Sequence, residues 1–335
     1  MKQTTRFIMA MLIALAAAPL AAQEGVSGDF AEESPWDFSL TTDFVYYPKT
    51  DFVAGQTHFA PTTGAFDSIE ARITAFIDYT VKIPFSDHPL VKGNTLVFEY
   101  ALELTPISIM PKFKLSFTPI AFLVFSAGVN TGTGWPFPAI SVQGMAKLVD
   151  TSASSGWDAY ENLTPFKQFY IDTYVSGTFQ FDVGALWPGD WHHIVMLATY
   201  KTGYIALTGM HDREVWKWQG GGNKTNGWQY EANFVLGYQM PIVLSMVGLN
   251  IELAGHYSST DYTNAAYKGN FMTVNIAPLA RFKFNEHHML TTLAYFANRR
   301  SFAEGHTSSH QETELTYAGS EWYFRRIVLS YTYSF

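Results

Sequence analysis

Charged side chains fall at even spacings from one another through apolar stretches of this 335-residue chain. Over residues 68–83, Glu70, Arg72, Asp78 and Lys82 alternate with Ile69, Ala71, Ile73, Ala75, Ile77, Tyr79, Val81 and Ile83. Successive residues of a strand point to opposite faces, so this spacing gathers the charges on one face and leaves the other apolar. The same spacing turns Glu99 and Glu103 away from Leu96, Phe98, Tyr100, Leu102 and Leu104. It also puts Asp43, Lys112, Lys114, Asp172, Asp182, Lys201, Glu231, Glu252, Arg281 and Lys283 on the polar faces of further segments. Acids and bases on one enclosed surface can orient a small polar solute at a constriction and select among ions. They can equally pair across neighbouring strands and only fill the interior. Both signs are present, so no preference for anions or cations follows.

Two other chemistries were weighed. Ester hydrolysis needs a nucleophile, a base and an orienting group. His256 has Ser258 two residues after it and Glu252 four before it, all on one strand face. A lone strand histidine beside a serine is more commonly a hydrated interior residue, so no catalytic residue is assigned and no enzyme is expected. The pairs His192-His193 and His287-His288 fall at turns, and neighbours in a strand point apart, which leaves each pair unable to supply two ligands to one ion. His306 and His310 share a loop with Glu304 without a specific ligand spacing. No metal and no cofactor are expected.

The elements that would position these residues are strands. Twelve alternating segments can be drawn, at 37–47, 68–83, 95–105, 112–118, 121–130, 167–183, 193–207, 228–240, 249–258, 271–284, 288–298 and 315–335. Most reach or exceed the ten or so residues that a tilted strand needs to cross a membrane, and the segment at 112–118 is shorter. Their connections alternate in length. Long ones span 48–67, 131–166, 208–227, 259–270 and 299–314, against tight turns at Trp187, Pro241 and Asn285. The exceptions are a short connection near 107–111 and a longer one near 84–94. An error in this count would come in twos, giving ten or fourteen strands. Trp187, Trp191, Trp216, Trp218, Trp228, Trp322 and Tyr323 cluster near strand ends, where amphipathic rings suit membrane interfaces.

The two ends of the chain are consistent with export to a membrane. Lys2 and Arg6 precede an apolar run at 7–18, and Ala21 and Ala22 precede Gln23, the pattern of a secretory signal peptide over residues 1–22. The run is shorter than the roughly 20 residues of a spanning helix. A short tail at 23–35 then leads to one barrel domain at 36–335. Charged residues make up 15% of the chain, below the roughly 25% of soluble domains. Mean hydropathy is nonetheless near zero, as expected where apolar and polar faces average out. The net charge of −8 without basic clustering excludes a nucleic-acid partner, and the absence of cysteine suits an oxidising compartment.

The last nine residues alternate Ile327, Leu329, Tyr331, Tyr333 and Phe335 with Val328, Ser330, Thr332 and Ser334. A free edge of this kind invites aggregation, and pairing it with the first strand removes the hazard. Here the chain resembles the bacterial outer-membrane β-barrel proteins, whose final strand ends in Phe with aromatic residues at alternate positions before it. The resemblance implies an all-β, closed antiparallel transmembrane barrel of the porin or channel kind, located in the outer membrane and surrounded by its lipids. It also implies delivery by the barrel assembly machinery, with Tyr331, Tyr333 and Phe335 as the signal. The expected function is passive diffusion of small polar solutes through the charged lumen. The alternatives are a non-conducting barrel whose outer loops bind host or matrix partners, and an outer-membrane hydrolase. The connection at 131–166 either folds inward and narrows the pore, as in many porins, or stands exposed outside.

Overall fold

The computed structural model describes residues 34–83, 91, 93–304 and 308–335. The expected signal peptide, nearly all of the expected tail, most of the connection at 84–94, and His306 lie outside the described residues.

Twelve strands run in chain order: β1 (Trp36–Thr50), β2 (Thr62–Lys82), β3 (Thr95–Thr105), β4 (Ser108–Ile120), β5 (Leu123–Gly134) and β6 (Tyr170–Asp182). They continue as β7 (His193–Leu207), β8 (Gly227–Gln239), β9 (Leu244–His256), β10 (Thr273–Lys283), β11 (His288–Phe302) and β12 (Tyr317–Ser334). Each pairs antiparallel with its sequence neighbour, and β12 closes onto β1 from Ser39↔Ser334 to Tyr46↔Ile327. Closure satisfies the edge that an aromatic C-terminal strand would otherwise expose. The expected count of twelve holds, and β3 and β7 have the expected bounds. The fourth and fifth strands are longer than their expected segments and meet in a turn at Ala121-Phe122. Pro119, which lacks an N–H, coincides with a register shift between Phe117 and Ile120.

Apolar residues cover the outside of the wall. Ile73, Phe98, Phe113, Phe125, Val175 and Phe234 are 44–56% exposed. Their strand neighbours Thr74, Ala101 and Val124 face inward and are at most 5% exposed. A soluble barrel has the opposite arrangement. A closed barrel with an apolar exterior satisfies its backbone internally and leaves hydrocarbon as the medium for its wall. Short connections gather at the end that carries both ends of the barrel, here called the inner end. Long ones gather at the outer end, with two exceptions: the two-residue turn between β3 and β4 at the outer end, and the longer connection over residues 83–94, between β2 and β3, at the inner end.

The interior is charged in one sector and apolar in another. Val45, Leu197, Val235, Met246, Leu279, Leu293 and Val328 form a buried apolar cluster inside the barrel, on β7 to β12 and β1. A bulge in β12, between the pairs Tyr295↔Arg326 and Phe296↔Phe324, inserts Arg325 as an extra residue. As a result Arg325 and Arg326 both reach inward. Arg325 donates to Asn275 Oδ1 at 2.9 Å, and Arg326 to the Tyr47 hydroxyl at 3.4 Å.

Candidate functional site: a charged lumen beneath an inward-folded outer plug

On β1 and β2, Asp43 lies directly across from Arg72. Arg72 Nε and Nη2 donate to Asp43 Oδ2 at 2.8 and 2.6 Å, and its Nη1 lies 3.6 Å from Glu103 Oε2 on β3. Lys112 Nζ on β4 binds the same Glu103 oxygen at 2.7 Å. Glu103 is 1% exposed, so two cations answer one buried carboxylate. Nearer the inner end, Lys114 pairs with Glu99 at 2.5 Å. A second ladder crosses β5 to β8. Asn130 and Lys201 donate to Asp172 Oδ2 at 2.9 and 3.0 Å, and Lys201 lies 3.5 Å from Glu231. Charges buried in this way hold their geometry only while each has its partner.

The remaining expected residues are spread more widely. Glu70 and Lys82 are exposed towards opposite ends of β2, and Asp78 lies half-buried across from Glu99. Glu252 accepts from the Tyr295 hydroxyl at 3.0 Å and from Asn250 and Asn275 at 2.9 and 3.2 Å, with no ion pair among the described residues. Asp182 sits at the inner turn and binds His193 Nδ1 at 2.6 Å. Arg281 and Lys283 face the lumen from β10 and make no ion pair among the described residues.

The outer mouth is occupied by its own loops. A short strand at Met145–Leu148, in the loop 135–169, pairs with Trp216–Trp218 of the loop 208–226. Met145, Trp216 and Trp218 pack on the lumen-facing Met110, Ile205 and Leu207, and Tyr170 stacks on Trp218 at 4.9 Å. This approach needs glycine at 132, because a Cβ there would meet the Trp218 ring at 2.8 Å. A left-handed turn at Gln219 (φ 53) and Gly220 (φ 66) then aims Gln219 downward. Its Nε2 donates to Glu103 Oε1 at 2.8 Å and to Ser108 Oγ at 2.9 Å. A non-glycine residue in this conformation carries roughly 1 kcal/mol of strain or more, which the surrounding contacts must offset. Between Asp172, Lys201, Ile205 and Glu231 the space left is about 10 Å³, room for about one water.

The plug settles two expectations. The connection at 131–166 folds inward. Trp216 and Trp218, expected at a membrane interface, are 0% and 6% exposed inside the mouth, whereas Trp187, Trp191 and Trp228 are exposed near strand ends. The loop pairing gives the physical reason, since it turns both rings onto apolar lumen side chains. Gln219, Arg325 and Arg326 are the interior residues that the spacing missed.

Across the mouth, other loops lock onto this plug. Lys217 Nζ lies 4.0 Å over the Tyr160 ring, the Tyr160 hydroxyl donates to Asn223 at 2.6 Å, and Asn223 donates to the Ser309 carbonyl at 2.6 Å. Burial pushes the Glu312 carboxyl up to about 7, against the pull of Arg300, Lys217 and Arg299. Burial also brings the Lys217 ammonium down to about 8.

The groupings weighed for other chemistry are arranged differently. His256 Nδ1 binds Asp261 at 2.9 Å and its Nε2 binds Gln229 at 2.6 Å, while Ser258 Oγ bonds to Thr260 Oγ1. Both ring nitrogens are therefore engaged away from the serine. Glu252 bonds to Asn250, Asn275 and Tyr295 rather than to His256. His310 Nε2 bonds to the Ala153 carbonyl at 3.0 Å.

A closed twelve-stranded barrel with a lipid-facing apolar wall, a charged lumen and a loop-filled outer mouth defines an outer-membrane β-barrel protein. No protein-family model matches the chain, and no curated protein matches it. Among solved structures it is similar to an outer-membrane channel from Pseudomonas putida F1, at 9% identity and a TM-score of 0.48, over 93% of this chain and 100% of that one. It is also similar to the β domain of the Bordetella autotransporter BrkA, at 10% identity and a TM-score of 0.43, over 89% and 99%. A third is the outer-membrane channel DcaP of Acinetobacter baumannii, at 10% identity and a TM-score of 0.35, over 92% and 100%. These likenesses carry nothing about solute or activity.

Proposed function

We propose that the protein is a passive channel for small polar solutes, with its outer mouth narrowed by two inward-folded loops. The observation that carries this reading is the contact of Gln219 with Glu103, which joins the plug to the charge ladder of the lumen. A wall meant only to hold up outward-reaching binding loops has no need of that link. The engagement of both His256 nitrogens away from Ser258 favours a non-catalytic barrel over a hydrolase. On the same reading Tyr331, Tyr333 and Phe335 present the closing strand to the barrel assembly machinery.

The test is the reversal potential of the refolded mature protein under a salt gradient. Glu99→Gln removes a fixed negative charge and shifts selectivity towards anions, and Lys114→Gln shifts it towards cations, with folding intact by heat-modifiable gel migration. Conducting variants with unchanged selectivity would remove the lumen charges from the account. Loss of binding to host or matrix proteins on loop deletion, without any conductance, would support the surface-binding reading.

A further inference from the structure

Within the channel reading, on which this step rests, we infer that the inner half of the lumen binds a small amphipathic organic anion, its carboxylate on Arg281 and its apolar body along β10 to β12. Arg281 is 5% exposed, its Nε is covered without an acceptor, and no carboxylate lies within 4 Å of it among the described residues. The lumen cations Arg72, Lys112, Lys114 and Lys201 each have such a partner, and Arg325 and Arg326 donate instead to Asn275 and the Tyr47 hydroxyl. An isolated buried guanidinium is costly unless an anion answers it.

Its surroundings show which anion fits. Arg281 lies across from Met246 on β9 and Thr291 on β11, and Thr291 lies across from Ser330 on β12. Ser330 Oγ is also covered and has no hydrogen-bond partner among the described residues. Lys283, two residues further on the same face, brings a second cation towards the inner mouth. One pair step towards the outer end, Leu279, Leu293 and Val328 are 5–6% exposed and form part of the apolar cluster. A planar fork beside a hydroxyl, with an aliphatic wall on one side, matches a carboxylate carried on an apolar body, because the guanidinium takes both carboxylate oxygens at once. A fully hydrated ion would gain nothing from the wall.

The experiment is calorimetric titration of the refolded mature protein in detergent with benzoate, acetate and benzyl alcohol, beside bilayer conductance of the same preparation. Benzoate is expected to bind, with acetate and the neutral alcohol each weaker by roughly tenfold or more, since each lacks one half of the recognition. Arg281→Gln is expected to abolish the benzoate signal, and Arg281→Lys to weaken it through loss of the fork. Leu293→Asn, which leaves Arg281 in place, is expected to weaken benzoate but not acetate, and it keeps the test open if the Arg281 variants fail to fold. Equal binding of acetate and benzoate, or benzoate binding unchanged in Arg281→Gln, overturns the inference while conductance leaves the channel intact. A preparation that binds benzoate as expected and never conducts overturns the channel reading and leaves the site standing.

Discussion

Glu103 concentrates the argument at the scale of single residues. It accepts from Lys112 and Gln219, and Arg72 lies 3.6 Å away, so one carboxylate joins three strands of the wall and a loop. Glu103→Gln leaves Lys112 without its anion, while Arg72 keeps Asp43, and should cost about 3 kcal/mol, the lower end of what breaking a buried pair on one side costs. Denaturant unfolding of the refolded barrel measures it, and a loss below about 1 kcal/mol would mean that water already screens the ladder. That Arg72, Glu99, Glu103, Lys112, Lys114, Asp172 and Lys201 face inward was legible, because period two needs no knowledge of neighbours. Which acid meets which base was not, since that depends on register between strands. The adjacent pair Arg325-Arg326 held a readable signal that was missed. A charge on the lipid face costs roughly 2–4 kcal/mol at the midplane, so two neighbouring arginines in a spanning strand imply a bulge.

Among the elements, strands and loops differed in how much the sequence disclosed. Alternation between turns located every strand, including β12 with its aromatic face. The apolar cluster inside the barrel was hidden, because Val, Leu and Met facing a lumen look the same as Val, Leu and Met facing lipid. The plug was hidden too, since its strands pair across loops far apart in sequence, although Trp216-Lys217-Trp218 carries strand alternation inside a loop. Glu312 and Lys217 make loop packing depend on pH. Between about pH 4.5 and 7 the packed loop keeps the Glu312 proton that the open loop loses, so packing weakens as pH rises through that window. Between about pH 8 and 10.5 the open loop keeps the Lys217 proton that the packed loop has lost, so packing weakens as pH falls through that window. The plug is therefore loosest near pH 7 to 8. Acrylamide quenching of tryptophan fluorescence should be greatest there and fall towards pH 5. Quenching that does not change across this range would show that these two groups do not govern the plug.

At the scale of the whole molecule, the barrel is apolar outside, charged or apolar inside according to sector, and narrowed at the outer end by its own chain. Connection lengths agreed with the strand number, because barrels of this kind tend to alternate short turns and long loops. They could not reveal whether the lumen is open, which depends on how the loops at 135–169 and 208–226 pack. The direct test is single-channel conductance of the refolded protein in planar bilayers, for the full barrel and for a form lacking residues 211–225. The account predicts small discrete openings for the first and clearly larger ones for the second, because removing Trp216, Trp218 and Gln219 frees the mouth above the ladder. Barrels that are folded by heat-modifiable migration yet silent in both forms, or that conduct equally in both, would contradict it.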